Sequence, residues 1–260
     1  MKAQPNKVEL IGYYGTDETI ALSAWTSTSR DLTEEKRQRI PELVRRLWFD
    51  GHETPFEKVQ LHFLVTCDIA SHIHLLKHRI SSLNAESARY KELSDDKYYV
   101  PDDWNVIKFN VSDSWADRLI ESTEMNMLLY HEALKELTPI LGRKRAKETA
   151  RYFLPYNTQI TMDVMFNLRS FANFYRLRNS EHAQVEIQDI ARQMMTLVYN
   201  IEGQPLKSAL DAIKPKLKSV NFRSNEKAIQ SVRFQKTKEA AKNNLSGSRQ
   251  NRRNCASFRR

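Results

Sequence analysis

One short segment concentrates side chains that can bind an anion together with a polar ring. Residues 77–90 read Lys-His-Arg-Ile-Ser-Ser-Leu-Asn-Ala-Glu-Ser-Ala-Arg-Tyr and supply three Lys or Arg cations, three serine hydroxyls, an amide and an aromatic ring. Arginine presents a planar fork of donors that fits phosphate oxygens, and Ser and Asn add neutral, directional hydrogen bonds. The segment therefore predicts a site for a phosphate group attached to a planar polar ring.

A second group of polar side chains lies about 80 residues further along the chain. It comprises Asn167, Arg169, Asn173, Arg176, Arg178 and His182. If this stretch is helical, Arg169 and Arg176 are seven residues apart and share a face, whereas Arg178 lies elsewhere, past the helix end. Composition alone leaves the group open between a ligand site and solvated charges on a helix.

Two alternating segments are expected to form the strands that position these groups. Val59, Leu61, Phe63 and Val65 alternate with polar residues, and Ile160, Met162, Val164 and Phe166 do the same. A further short strand is predicted over residues 8–14. Residues 78–90 carry no apolar period, so we expect a loop there.

Helical periodicity dominates the rest of residues 1–213. Helices are predicted over 18–25, 33–48 with Pro41 interrupting or starting a turn, 68–76, 115–137, 143–153, 168–177 and 183–201. Strands separated by helices indicate an α/β (α+β) domain with a central sheet flanked by helices.

These residues and their order resemble the flavin-dependent thymidylate synthases. Residues 77–90 are similar to that family's signature, R-H-R-x-x-S-x-N-x-x-S-x-R-Y. Residues 51–57, Gly-His-Glu-Thr-Pro-Phe-Glu, resemble an upstream block, and residues 167–184 resemble a downstream block. The resemblance covers roughly residues 20–205, and three blocks in the right order are much more specific than any single one.

The resemblance implies a homotetramer with active sites shared between subunits and one FAD in each site. Enzymes of this family convert dUMP to dTMP, with methylenetetrahydrofolate as the carbon donor and NADPH as the reductant. The implied flavin contacts are Ser27, Thr54, Glu57, His78, Arg79, Ile80, Asn84, Asn167, Arg169, Asn173 and His182. The implied substrate contacts are His74, Lys77, Glu86, Ser87, Ala88, Arg89, Arg151 and Arg178.

Arg178 matches the arginine expected to lie against the uracil ring and is the predicted catalytic residue. A fixed cation there would stabilise charge that develops on the pyrimidine as C5 becomes nucleophilic. Cys67 ends an alternating strand, and a buried apolar thiol of that kind is inert as a nucleophile. Ser87 has no recognisable His or Asp to activate it, which favours a hydrogen bond to substrate phosphate.

Three positions depart from the family pattern. Lys77 replaces the first Arg of the signature and loses its bidentate fork; His74 stands where Gln is usual, and Ala85 where Glu often follows Asn84. Divergence without functional consequence would explain them. The alternatives are methylation or hydroxymethylation of another deoxypyrimidine nucleotide, or a flavin-binding relative that has lost catalysis.

The basic charge of the chain is confined to its end. Residues 214–260 contain 14 Lys and Arg against two acidic residues, whereas residues 1–213 contain 27 basic and 30 acidic residues. The segment is polar and aperiodic, which predicts a disordered tail. It could bind polyanions weakly, and a nucleic-acid-binding protein acting through this tail is the competing function.

Composition excludes several other classes of protein. No apolar run approaches the roughly 20 residues of a membrane-spanning helix, and the first 14 residues lack the features of a signal peptide. Cys67 and Cys255 are too far apart to suggest a disulfide framework or a zinc site. Although His72, His74 and His78 are close together, no carboxylate or thiol completes a ligand set. We therefore expect a metal-free cytoplasmic protein without a membrane anchor.

Overall fold

The two alternating segments form the centre of the main sheet. The computed structural model describes residues 1–214. Strands β3 (Gln60–Asp68) and β6 (Gln159–Asn167) pair antiparallel along their full length, so that Phe63 lies opposite Val164. Their alternation places one apolar row of each strand in the core, where Phe63 and Val164 are fully buried. The central sheet flanked by helices that was predicted is confirmed.

Two edge strands complete this sheet within the described residues. Its order is β2-β3-β6-β4, with β2 at Lys7–Tyr14 and β4 at Ser82–Ala85. The prediction of a loop over residues 78–90 is therefore wrong for residues 82–85, which form β4. β4 is four residues long and pairs Leu83 with Val164, which is too short a run for its alternation to be recognised in sequence.

Helices cover the buried face of the sheet and its ends. They are α1 (Asp17–Trp25), α2 (Glu34–Phe49), α3 (Ile69–Leu76), α4 (Trp115–Leu141), α5 (Arg143–Ala150), α6 (Leu168–Arg178), α7 (Val185–Tyr199) and α8 (Lys207–Ile213). Strand β1 (Lys2–Ala3) pairs parallel with β5 (Lys97–Tyr98) in a separate two-stranded sheet. The helices predicted from periodicity are thus present, with shifted ends.

Some of those shifts have clear physical causes. Pro41 does not interrupt α2, because it occupies an exposed position where the displaced backbone carbonyl can face water. The helix predicted over 143–153 ends at Ala150 and continues only as a 3-10 turn over Arg151–Phe153. Helix α8 was not predicted; its seven residues are too few for a periodic signal.

Two features of the chain bear on the predictions of protein class. None of the helices in residues 1–214 combines the length and apolar character needed to cross a bilayer. The predicted basic tail, apart from Lys214, lies outside the described residues.

Buried polar contacts anchor the N-terminal segment beside α3. The Asn6 side chain donates to Asp68 Oδ2 (2.8 Å), and Asp68 Oδ1 accepts from the backbone N–H of Ser71 (2.8 Å), which caps α3. Gln159 Nε2 donates to Asn6 Oδ1 (3.0 Å), so the network also reaches β6. Asp68 is buried and satisfies two donors at once.

We expect Asp68→Ala to lower the free energy of unfolding by about 2–4 kcal/mol. It removes a helix cap worth about 1 kcal/mol and leaves the buried Asn6 amide without its acceptor, at about 1–3 kcal/mol. Urea unfolding at fixed protein concentration measures the change. The exposed Glu202→Ala is the control and should change stability by less than about 0.5 kcal/mol. A loss for Asp68→Ala as small as that of the control would contradict the proposed anchoring.

Candidate functional site

All three sequence blocks contribute side chains to one cleft. Its walls come from Trp48 at the end of α2 and Glu53 and Glu57 after it, from residues 77–80 after α3, and from α6, with Ile213 of α8 at one side. The cleft has a volume of about 600 Å³, which is within the range of sites that bind cofactors and drug-sized ligands.

The cleft is strongly cationic although the body of the protein is not. Its cations are Lys77, Arg79, Arg169, Arg176 and Arg178, and its carboxylates are Glu53 and Glu57. Arginine forks and lysine ammonium groups at this density suit a ligand that carries phosphate groups. The arrangement also satisfies the prediction that Arg169 and Arg176 share a helix face.

Arg169 is fixed at the start of α6 by two carboxylates. Its Nε donates to Glu53 Oε2 (2.7 Å) and its Nη1 donates to Glu57 Oε1 (2.6 Å). The hydrogen bond that Arg169 donates to Glu57 is the main reason that its pKa is raised, and the bond to Glu53 is the second. A guanidinium has five N–H groups, so these two bonds leave donors for a ligand's phosphate oxygens.

Arg178 is held quite differently, at the opposite end of α6. Its Nε donates to His78 Nε2 (2.9 Å), and its Nη2 lies 3.4 Å from the backbone oxygen of His74. Burial lowers the pKa of His78 to about 4, with the charges of Arg178 and His74 as smaller causes. His78 is therefore neutral at pH 7 and can accept the hydrogen bond.

Only some of the residues predicted to contact flavin line this cleft. Those that do are Glu57, His78, Arg79, Ile80, Arg169 and Asn173, together with Lys77 and Arg178 from the predicted substrate set. Arg178 was expected to lie past the helix end, but it is the last residue of α6.

The other predicted flavin contacts lie outside the cleft of a single chain. Asn167 caps α6 by accepting from the backbone N–H of Ser170 (2.8 Å). Ser27 lies in the turn after α1 and donates to Ala24 O (3.1 Å), and Asn84 is exposed on the edge strand β4. Thr54 begins a 3-10 turn, and the side chain of His182 is 89% exposed.

Most of the predicted substrate contacts form a second region, near α5. Glu86, Ser87, Ala88 and Arg89 follow β4, and Arg151 lies in the turn after α5. Arg89 is 3.5 Å from Glu148, and Lys147 Nζ donates to the backbone oxygen of Tyr90 (2.7 Å). The four residues of β4 span about 13 Å, which separates this region from the cleft.

Glu86 joins the second region to the central sheet. Its carboxylate accepts from the backbone N–H of Thr161 (2.8 Å) and pairs with Lys91 (2.7 Å). Its burial opposes ionisation, but the bonds from Lys91 and Thr161 together lower its pKa. Glu86 therefore braces residues 86–91 through its side chain as well as its backbone.

Sequence reasoning missed several residues of the cleft. Trp48, Glu53, Tyr175 and Ile213 line it but were not predicted as site residues. Glu53 belongs to the upstream block, four residues before Glu57, and this i, i+4 pair of carboxylates was the available signal. Its partner Arg169 lies 116 residues away, so the pairing itself was not visible in sequence.

Cys67 is the cysteine that lies within the described residues. Cys67 faces the core from β3, and its burial raises the pKa of the thiol, with the charge of Asp68 as a smaller cause. Within residues 1–214, no three His, Cys, Asp or Glu side chains are grouped so that they could hold a metal ion. Cys255 lies outside these residues.

Comparisons with known proteins agree on one family. The family model for thymidylate synthase complementing protein matches residues 9–202. Flavin-dependent thymidylate synthases of Pseudothermotoga lettingae and Thermotoga neapolitana are 34% and 32% identical to this chain over 184 residues. Both matches span 71% of this chain, and they span 80% and 81% of the two relatives.

Solved structures of one methylase have a similar fold. The UMP/dUMP methylase PolB from Streptomyces cacaoi, bound with 5-Br dUMP, is 25% identical, with a TM-score of 0.66 over 81% of this chain and 95% of that protein. The same methylase bound with 5-Br UMP gives a TM-score of 0.64 over 82% of this chain and 96% of that protein, again at 25% identity.

We expect the His78 imidazole to titrate near pH 4 in the folded protein, compared with an ordinary value of 6.5. Because the unfolded chain takes up this proton at higher pH than the folded protein, His78 destabilises the fold as pH falls from about 6.5 toward 4. Histidine ring NMR measures the pKa, and urea unfolding across this pH range measures the stability change.

The matched variants for this titration are His78→Gln and His182→Gln. The first should flatten the pH dependence of unfolding between about pH 6.5 and 4. The second replaces an exposed histidine and should leave that dependence unchanged. A measured pKa above 6 for His78 would show that the cleft does not desolvate the ring as described.

Proposed function

The chain belongs to the flavin-dependent thymidylate synthase family, and from that premise we propose that it converts dUMP to dTMP by reductive methylation at C5. Membership implies a flavin cofactor and a nucleotide substrate. The observation that carries the proposal is the convergence of the three sequence blocks on one cationic cleft, where Arg178 is held by a neutral histidine.

The donor set of the cleft fits a flavin dinucleotide, and we assign FAD to it. The arginines and Lys77 match a pyrophosphate in charge, and the volume of about 600 Å³ suits a large planar ligand. Glu57, His78, Arg79, Ile80, Arg169 and Asn173 would hold it from one chain. When bound, the flavin supplies redox chemistry that side chains lack.

Arg178 is the proposed catalytic residue toward the pyrimidine. Two of its nitrogens contact His78 and His74, and both contacts are with neutral acceptors. The cation can therefore stabilise negative charge that develops on the pyrimidine carbonyl or ring nitrogen as C5 becomes nucleophilic.

The proposed co-substrates follow from the balance of the reaction. Methylenetetrahydrofolate donates a carbon that is one two-electron step more oxidised than a methyl group, while C5 of dUMP loses a proton. A hydride equivalent must therefore enter, and NADPH is the proposed source. The family resemblance supports both co-substrates.

The remaining predicted contacts require more than one chain. Ser87, Ala88 and Arg89 follow β4 and Arg151 follows α5, at a distance from the cleft within one chain. We propose that copies of the protein assemble, as a homotetramer, so that this region of one subunit adjoins the cleft of another. Ser27, Thr54, Asn84, Asn167, His182, His74 and Glu86 would serve as contacts in the same assembly.

Two accessory proposals concern chemistry outside the cleft. The mechanism uses no cysteine nucleophile, which is supported by the burial and raised pKa of Cys67. The basic tail, residues 214–260, binds polyanions weakly, which is supported only by its charge.

A second candidate substrate is the ribonucleotide UMP. The similar methylase structures contain 5-Br UMP as well as 5-Br dUMP. In this chain His74, Lys77 and Ala85 differ from the usual family pattern, and the backbone oxygen of His74 contacts Arg178. These positions are consistent with an altered choice of pyrimidine nucleotide.

The first test is tritium release from C5-labelled dUMP, with NADPH and methylenetetrahydrofolate, with and without added FAD. We expect FAD-dependent release, and Arg178→Lys should lower kcat by about 100- to 1000-fold because the fixed fork is lost. The exposed Arg30→Lys is the matched control and should keep wild-type turnover. C5-labelled UMP in parallel reactions tests the second candidate.

Two outcomes of this test would contradict different parts of the proposal. Release from UMP alone would replace the proposed substrate with the ribonucleotide. A purified protein that shows a bound-flavin spectrum but releases no tritium from either nucleotide would refute the proposed reaction and leave the cofactor assignment intact.

The cysteine-free mechanism has its own test. The double variant Cys67→Ala, Cys255→Ser should retain kcat within about threefold, a change of less than about 0.7 kcal/mol in the barrier. Loss of a true nucleophile costs up to about a millionfold. Turnover is measured by tritium release, and urea unfolding of the variant separates lost chemistry from lost folding. A collapse of kcat in a folded, flavin-bound variant would identify a thiolate.

A further inference from the structure

The contact between Arg178 and His78 defines the proton positions of both side chains. Arg178 Nε carries a hydrogen and can only donate, so His78 Nε2, 2.9 Å away, must present its lone pair. The neutral ring therefore carries its proton on Nδ1. The lowered pKa of His78 agrees with this state at pH 7.

Two further contacts position His78, one to its ring and one to its backbone. The ring of Phe174 meets it edge-on, with centroids 4.9 Å apart and an interplanar angle of 85°. Phe174 and Arg178 are four residues apart on α6 and so lie on the same helix face. The backbone N–H of His78 donates to Leu75 O (3.0 Å) at the end of α3. A ring in contact with Arg178 and Phe174, on a backbone that is itself hydrogen-bonded, is a well-positioned acceptor.

The arginines at the two ends of α6 have different kinds of bonding partner. Arg169 is bonded to two carboxylates, Glu53 and Glu57, which balance its charge. Arg178 is bonded to an uncharged ring nitrogen and a backbone oxygen, and within residues 1–214 it forms no ion pair with a carboxylate. Its positive charge is therefore oriented without being neutralised.

We propose that His78 is a positioning residue that acts through Arg178, orienting the guanidinium toward the pyrimidine without cancelling its charge. The inference rests on the proposed function and assigns different roles to the two arginines at the ends of α6. Arg169 is a charge-balanced ligand anchor, whereas Arg178 is an uncompensated cation that responds to charge developing on the substrate.

Protonation of His78 would end this role, because an imidazolium has no lone pair to accept from Arg178. Its ring faces Arg178 and Phe174 from α6 and His74 from α3, and Lys77, Arg79 and Arg176 line the same cleft. The cations among these groups oppose protonation of the ring, and the two carboxylates of the cleft, Glu53 and Glu57, are paired with Arg169 at the other end of α6. The arrangement keeps the acceptor available throughout the neutral pH range.

The test uses the full chain in four variants. His78→Gln keeps an acceptor close to the position of Nε2, His78→Leu removes it at similar size, Arg178→Lys removes the fork, and the fourth combines His78→Leu with Arg178→Lys. The control His72→Leu replaces a half-buried histidine that lies within α3. Tritium release gives kcat and KM, and flavin titration gives the cofactor Kd for each variant.

Positioning predicts a specific pattern in these values. His78→Leu should lower kcat about 100-fold, as expected for a misplaced group, while His78→Gln recovers most of it and His72→Leu loses none. The double variant should be no slower than Arg178→Lys alone, because both changes remove one function. Effects that multiply in the double variant, or a weakened flavin Kd that accounts for the whole loss, would overturn the proposal.

A second readout does not depend on turnover. NMR of the nitrogen-labelled protein should show the Nδ1–H tautomer of His78 and a slowly exchanging Arg178 Nε–H signal. That signal should persist in His78→Gln and disappear in His78→Leu. If the wild type releases no tritium but these signals are present, the proposed reaction fails while the positioning stands. An Nε2–H tautomer overturns the positioning whether or not the enzyme is active.

Discussion

The antiparallel pairing of β3 with β6 is the constraint on which the site depends. Each strand runs directly into a helix: β3 ends at Asp68 and α3 begins at Ile69, while β6 ends at Asn167 and α6 begins at Leu168. Because the strands are antiparallel and fully in register, the two helices leave from opposite ends of the sheet. Their C-terminal ends can then meet, which brings His78 against Arg178.

Helix α6 forms the long wall of the cleft, and its two ends differ electrostatically. Arg169 and Arg178 are nine residues apart, or about 13 Å along the helix axis. The first is bonded to carboxylates from the segment that precedes β3, and the second is bonded to neutral acceptors at the end of α3. A protein whose first 213 residues carry slightly more acidic than basic groups thus gathers cations where a phosphorylated ligand needs them. It pairs Arg169 with carboxylates and Arg178 with neutral acceptors.

The short strand β4 decides which contacts one chain can make. It connects the cleft residues 77–80 with residues 86–91, and its pairing with β6 fixes their separation. After β4, the Glu86 carboxylate accepts a hydrogen bond from the backbone N–H of Thr161, and Lys147 of α5 donates one to the backbone oxygen of Tyr90. Most of the predicted site residues consequently fall into two regions of one chain, which is the arrangement expected if complete sites form between copies. Family membership and the single-chain geometry are therefore compatible without every predicted residue lying in one cleft.

Sequence alone determined the central strands, most of the helices and the identity of the family. Those features are local: alternation marks Phe63 and Val164 as inward-facing, a 3.6-residue period marks α7, and a motif is read along the chain. Strand β4 escaped detection because four residues carry too little pattern, and only pairing with β6 stabilises it. The same limit applies to the pairs Arg169–Glu53 and Arg178–His78, whose members are 116 and 100 residues apart. The sequence supplied the arginines, but only the tertiary structure decided that one would be charge-balanced and the other would not, because partners so distant are chosen by the packing of helices on the sheet.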